Sequence, residues 1–316
     1  MTAGADKAAK VPSGSAHWTA RMLANPYLLL ATASLFWSGN HIVGRAAGGH
    51  VPSLAMSTAR WLIPAIVLWA LAHRQIRQDW PTIRAHWKMM LWLGLTGGAL
   101  FTALQYVGLK YTSALNVSVL NSLVPVLIVA TAALLFRDRV SLRQTGGIAI
   151  SLLGVLVIVA HGRFETLMAL GFNWGDLIII FNMIVFAVYA VYLRLRPRIH
   201  ALSFLFVLAV ISSAGTLPFF IIESLSGDTL QLTWLTVMSI GYVAIFPSVL
   251  AFAAWNKGVE LIGANRAGPF VHLVPVYTAL VAGALLGEHL AGFHVAGFVL
   301  IIAGVWLASQ QAGTSA

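Results

Sequence analysis

The 316-residue chain contains no cysteine. That absence excludes a disulfide framework, a thiolate metal site, an iron–sulfur cluster and a cysteine nucleophile. Charge is also scarce. Asp, Glu, Lys and Arg make up 9% of the residues, against about 25% in soluble domains, and 59% are hydrophobic. A water-facing surface cannot be built from this inventory. Acids are scarcest, and Asp6, Asp79, Asp138, Glu165, Asp176, Glu223, Asp228, Glu260 and Glu288 all avoid the middle third of an apolar run. No paired-carboxylate or His–Asp cluster points to a membrane enzyme. No connection exceeds about 16 residues, too short for a soluble sensor module. Nothing suggests a metal or a cofactor.

What the chain does have is apolar runs of membrane-crossing length. A span needs about 20 mostly apolar residues, and ten runs qualify: 27–47, 54–72, 89–108, 115–136, 142–160, 174–193, 202–222, 232–255, 264–286 and 291–308. They are continuously apolar instead of alternating, which excludes a transmembrane β-barrel. The expected fold is therefore all-α and integral to the membrane. Residues 1–26 are small, polar and weakly basic, with no signal-peptide core, and read as a disordered cytoplasmic tail.

The formal charge of +10 would suggest nucleic-acid binding in a soluble protein. Here the cations sit in alternate connections. The tail has Lys7, Lys10 and Arg21, and the second-to-third connection has Arg74, Arg77, Arg84 and Lys88. Arg137, Arg139 and Arg143 follow the fourth run, Arg194, Arg196 and Arg198 the sixth, and Lys257 and Arg266 flank the eighth-to-ninth. Arg45, Lys110 and Arg163 fall on the other side. This bias places both termini in the cytoplasm and sets nucleic acid aside.

The chain also repeats itself at an offset of 150. Gly108 meets Gly258 and Ala114 meets Ala264, and Leu123–Val126 meets Leu273–Val276 identically. Ala132, Leu135, Gly147, Gly154 and Val155 meet Ala282, Leu285, Gly297, Gly304 and Val305. Asp138 meets Glu288, an acid for an acid. The first two runs of each half match poorly. An odd number of spans per repeat inverts the second copy, a recurrent transporter plan with substrate between the halves. The expected units are 27–161 and 174–309, each of five helices.

Pro275, the run Gly283-Ala-Leu-Leu-Gly287-Glu288, Gly297, Gly304 and the pair Arg60-Trp61 resemble the drug/metabolite transporter superfamily, and within it the EamA-type ten-helix exporters. The resemblance covers roughly residues 27 to 308. The first half departs from the pattern, with Arg137-Asp138 in place of Gly-Glu. The overall look is similar to YddG-like exporters of aromatic and other neutral amino acids. The resemblance implies a multi-pass exporter in the bacterial inner membrane with a small-molecule substrate.

Pro125 and Pro275 occupy equivalent positions inside apolar runs and are candidate hinges, because proline removes a backbone hydrogen bond. Gly94, Gly98, Gly283 and Gly287 are small-residue pairs suited to close helix packing. Asp138 and Glu288 lie at connections, where an acid favours the following helix start. Arg60 lies about two turns into the second run, where a long basic side chain more often reaches for the interface than meets a substrate carboxylate.

The candidate cavity residues are the aromatics Trp37, Phe101, Phe186, Tyr189, Phe252 and Trp255 with the polar Asn40, His41, Gln105, Asn121 and His272. Phe101 and Gln105 share a helix face, as do Asn182, Phe186 and Tyr189. An apolar cavity with a few polar groups suits a neutral amino acid. His41 and His272 are the titratable groups placed deepest. With no deep carboxylate, the expectation is facilitated export by a monomer, its rival a multidrug or nucleoside-type efflux carrier.

Overall fold

The computed structural model describes residues 25–46, 51–112, 114–169, 171–227, 230–286 and 291–310. The N-terminal tail through residue 24, Gly287, Glu288 and the side chain of His41 lie outside the described residues. Every regular element among the described residues is helical.

The chain runs through α1 (Pro26–Ala46), α2 (Ser53–Ala85), α3 (Trp87–Tyr111), α4 (Ala114–Asn121), α5 (Val124–Phe136) and α6 (Leu142–Val159). After a short α7 (Phe164–Met168) come α8 (Trp174–Leu195), α9 (Ala201–Leu225) and α10 (Trp234–Ile262). The chain ends with α11 (Ala264–Ala267), the 3₁₀ segment Gly268–His272, α12 (Leu273–Leu286) and α13 (Gly292–Ser309). Among the described residues, seven helices are long and apolar enough to cross a membrane: α2, α3, α6, α8, α9, α10 and α13.

Two of the ten expected spans are broken. The fourth run stops at Asn121, and Pro125 stands in the first turn of α5. The ninth run passes through the 3₁₀ segment before Pro275 enters the first turn of α12. Proline tolerates a first turn because the N–H it lacks has no intrahelical acceptor there. The two prolines therefore restart helices after a break instead of bending continuous ones.

Polar groups fix the ends of several helices. Asn173 and Asp176 form a reciprocal capping box at the start of α8. Ser141 accepts the Gln144 amide at the start of α6. The start of α2 is capped from a distance: Glu223, near the end of α9, accepts the Leu54 and Ala55 amides at 2.8 and 3.1 Å and the Lys110 ammonium at 3.0 Å. A carboxylate on free helical amides satisfies them and opposes the positive helix end.

α6 and α13 meet through glycine. A Cβ on Gly147 would lie 2.6 Å from the Gly304 carbonyl oxygen, and one on Gly154 would lie 2.8 Å from that of Gly297. Gly147 and Gly154 are the 150-offset equivalents of Gly297 and Gly304, so each pair maps onto the other. As the register rises along α6 it falls along α13. These two equivalent helices therefore pack antiparallel about a local two-fold axis.

Candidate functional site

The aromatics expected to line a cavity converge from helices distant in sequence. Trp37 on α1 lies with its ring centroid 5.9 Å from Phe186 on α8, and 5.9 and 5.3 Å from Phe252 and Trp255 on α10. Phe101 on α3 packs tilted against Phe186 at 4.8 Å, and Phe186 lies 5.5 Å from Trp255. Tyr189 touches both Phe186 and Phe252. Centroid separations of 4.5–7 Å are those at which aromatic pairs attract. Tyr189, Phe252 and Trp255 are fully buried. The cluster is a closed plug in this structure, rather than the wall of an open cavity.

Polar candidates decorate it unevenly. Gln105 Oε1 accepts from Asn182 Nδ2 at 2.9 Å, joining α3 to α8 beside the aromatic stack. Asn40 Oδ1, Asn182 Oδ1 and Trp255 Nε1 are buried with no hydrogen-bond partner among the described residues. Such groups are expensive in an apolar interior and mark where an additional donor or acceptor would be welcomed. Asn121 is half-buried at the end of α4. His272 stands apart from the plug: its two ring nitrogens contact Ser151 Oγ at 2.7 Å and the Ser122 carbonyl at 2.8 Å, at the crossing of the two helix breaks.

Two features escaped the residue pattern. Trp61 packs against Phe252 at 5.1 Å, and Asn256 accepts from the Tyr189 hydroxyl at 2.7 Å; both adjoin residues already singled out in sequence. The second feature is a pair of π-helical segments, Leu95–Ala99 in α3 and Ala244–Leu250 in α10, at the same offset of 150. π-segments inside α-helices occur frequently at functional sites. The Trp37 indole N–H donates to the Pro247 carbonyl within the second of them at 3.1 Å.

Cavities open at both ends of α8. One of about 490 Å³ is lined by Arg194, Arg196, Arg198 and Glu260, and the other, of about 480 Å³, by Lys110, Thr112, Asn116 and Asn173. The aromatic plug lies between them along the helix. Polar ties bridge the two halves at each end. Arg194 grips Asp138 with both nitrogens at 2.9 and 2.6 Å, and Asn265 adds a bond at 3.1 Å. The hydrogen bond from Arg194 holds the Asp138 carboxyl below its ordinary range against the opposing pull of burial. At the other end are the Lys110–Glu223 pair and the bonds that Thr112 and Asn116 donate to Asp176.

An arrangement with charged vestibules, a closed aromatic centre and cross-half ties at both ends can bind, occlude and release a solute. Among the described residues, no group of three or more His, Asp or Glu could hold a metal ion.

Comparison with known proteins agrees with this picture. The model of the EamA-like transporter family matches twice, over residues 25–160 and 173–310. The chain is 29% identical over 297 residues to the uncharacterized transporter YyaM of Bacillus subtilis (strain 168), covering 90% of this chain and 93% of that protein. It is 25% identical to a probable amino-acid metabolite efflux pump of Salmonella typhimurium, over 86% of this chain and 90% of the relative. A probable terminal-alkyne amino-acid exporter of Streptantibioticus cattleyicolor is 26% identical, over 71% and 73%. A protein crystal structure of 22% sequence identity shares the fold with a TM-score of 0.73, over 90% of this chain and 96% of that one. The chain is a multi-pass membrane protein that belongs to the EamA-like transporter family of the drug/metabolite transporter superfamily, with the family's unit present twice.

Proposed function

We propose that this protein exports neutral or aromatic amino acids, or similar small metabolites, across the bacterial inner membrane by alternating access. In this reading ten spans form two inverted five-helix units, with both termini cytoplasmic, and the monomer is the working unit. The broken fourth and ninth runs each count as one span.

The observation that carries the reading is the aromatic plug. Trp37 and Phe101 come from the first repeat and Phe186, Tyr189, Phe252 and Trp255 from the second, so the cluster sits on their seam. Rocking of one repeat against the other would part these rings toward one vestibule at a time, and an aromatic side chain could replace ring–ring contacts with ring–substrate contacts. The antiparallel α6–α13 pair supports inversion, because two equivalent helices running in opposite directions belong to oppositely inserted units. The names of the two exporter-like relatives support an amino-acid substrate.

Counterflow in proteoliposomes tests this. Vesicles loaded with unlabelled aromatic amino acid should accumulate labelled amino acid transiently, and protein-free vesicles should not. Counterflow supported by lipophilic cations or purine nucleosides, with none by amino acids, would instead favour the multidrug or nucleoside rival.

A further inference from the structure

Arg60 is 4% exposed, and it does not reach out toward a surface. A buried guanidinium is costly unless something neutralises it, yet none of the described acids does so. Asp138 is taken by Arg194, Glu223 by Lys110, and Glu260 by Arg196 and Lys257. Asp176 is held by Thr112, Asn116 and Asn173, Asp79 accepts the His200 amide, and Glu165 is exposed on α7.

Arg60 makes one hydrogen bond among the described residues, from Nε to Ser248 Oγ at 2.8 Å. That serine brings no charge. Pro247 lacks an N–H, and the Ser248 hydroxyl spends its proton on the carbonyl of Val243, the residue just before the π-segment, at 2.7 Å. Its oxygen can therefore only accept from Arg60. The two Nη groups, which form the half of the fork suited to a carboxylate, have no acceptor among the described residues.

The surroundings point the same way. Arg60 lies 5.9 Å from the ring of Trp61, which packs on Phe252 of the aromatic plug. Ser248 follows Pro247, whose carbonyl holds the Trp37 indole. Asn40, three residues along α1 from Trp37 and so on the same helix face, has a buried, unpartnered Oδ1. A bare cation and an aromatic cluster thus adjoin one π-segment.

We propose that Arg60 is the carboxylate-binding residue of the transport site, and that the substrate class is organic carboxylates with an aromatic or bulky apolar side chain. The carboxylate supplies the countercharge that the fold omits, and the side chain enters the aromatic plug. No described carboxylate is placed near the plug to meet an ammonium, so the amino group is dispensable for binding. The proposal rests on reading the plug as the substrate's seat.

The test is equilibrium binding to the full-length, detergent-solubilised protein, using tryptophan, indole-3-propionate and tryptamine. These share a ring and differ in which charge they carry. The two carboxylates should bind within about fivefold of each other and tryptamine at least about tenfold more weakly, because a charge-assisted forked pair is lost. Arg60→Gln should weaken both carboxylates at least about tenfold and leave tryptamine unchanged, and Arg60→Lys should fall between, since an ammonium lacks the fork. Tryptamine binding as tightly as tryptophan to the unmodified protein would overturn the assignment even if no variant folds. So would Arg60→Gln with carboxylate affinity retained, or failure of either carboxylate to bind. Carboxylate binding without counterflow would sink the export reading and leave Arg60 in place; tryptophan counterflow with affinity independent of Arg60 would do the reverse.

Discussion

His272 Nε2 lies 2.8 Å from the carbonyl oxygen of Ser122, and the two residues are 150 positions apart, each at the break of its own helix. A carbonyl only accepts, so Nε2 carries the proton, and Nδ1 meets the Ser151 hydroxyl at 2.7 Å. One imidazole thus serves the break in the first repeat, its own break in the second, and α6. Backbone freed by a helix break in an apolar medium must find partners elsewhere in the protein, and His272 supplies one to Ser122.

His272→Ala should therefore lower stability. Losing two buried hydrogen bonds costs about 0.5–1.5 kcal/mol each, and thermal unfolding in detergent should register a clear drop. His272→Gln, whose amide can both donate and accept, should recover part of it. Loss of transport without loss of stability would show that the ring acts on the substrate instead.

No described carboxylate lies at the plug, and His272 is 1% exposed with both nitrogens engaged. Amino-acid efflux from proteoliposomes should accordingly be insensitive to an imposed pH gradient. Strong acceleration by that gradient would place a titrating group in the cycle and reject facilitated export.

The small-residue seam gives a sharp contrast between neighbours. A Cβ on Gly147 would sit 2.5 Å from the Ala308 backbone nitrogen, whereas one on Gly146 would meet nothing within 4 Å. Gly147→Ala forces two backbones apart and should destabilise by about 1–3 kcal/mol, the usual range for overpacking. Gly146→Ala should be neutral or slightly stabilising, because alanine favours the helix. Equal melting temperatures for the two variants would contradict the packing of α6 on α13.

Much of this was legible in the sequence, for physical reasons. Continuous apolar runs and the absence of interior charge dictate helices in a membrane. Spacings of three and four set Phe101 with Gln105 and Asn182 with Phe186 and Tyr189 on common faces, and those faces meet. The helix breaks were not legible, because hydropathy does not report hydrogen-bond register and the Ser122 break is stabilised by His272, far away in sequence. The π-segments hide for the same reason. Arg60 defied the expectation that it would reach the interface: Ser248, which receives its Nε, lies 188 residues further along the chain.

The plug itself can be probed at Gln105 and Trp255. Gln105→Ala removes the acceptor for Asn182 Nδ2, and Trp255→Ala removes the rings packed against Trp37 and Phe186. Both should cut counterflow severely. Trp255→Ala should also cost about 3–5 kcal/mol in stability, as large-to-small core changes do, so Trp255→Phe provides the fair comparison. If both alanine variants express normally and transport at the unmodified rate, the substrate does not pass through the plug.

The cross-half ties at the two ends make a further prediction, and the cysteine-free sequence makes it easy to read. Asp138 is tied to Arg194 and Asn265 at the arginine-rich end, and Glu223 to Lys110 at the other. The partly exposed Arg194–Asp138 pair contributes only about 0–1 kcal/mol, enough to shift a balanced two-state equilibrium several-fold without unfolding the protein; Glu223 is buried and also caps α2, so its replacement costs more stability. A single cysteine replacing the fully buried Asn182 should react slowly with a membrane-impermeant thiol reagent. Asp138→Asn should speed labelling from the arginine-rich side, and Glu223→Gln from the opposite side. The sign of the pH effect follows from the depressed Asp138 carboxyl. Its tie is fully present at neutral pH and is lost only as pH falls through that lowered value, so acidification to pH 5 should not mimic Asp138→Asn. Labelling that rises equally from both faces in either variant would mean the ties stabilise the fold without gating it.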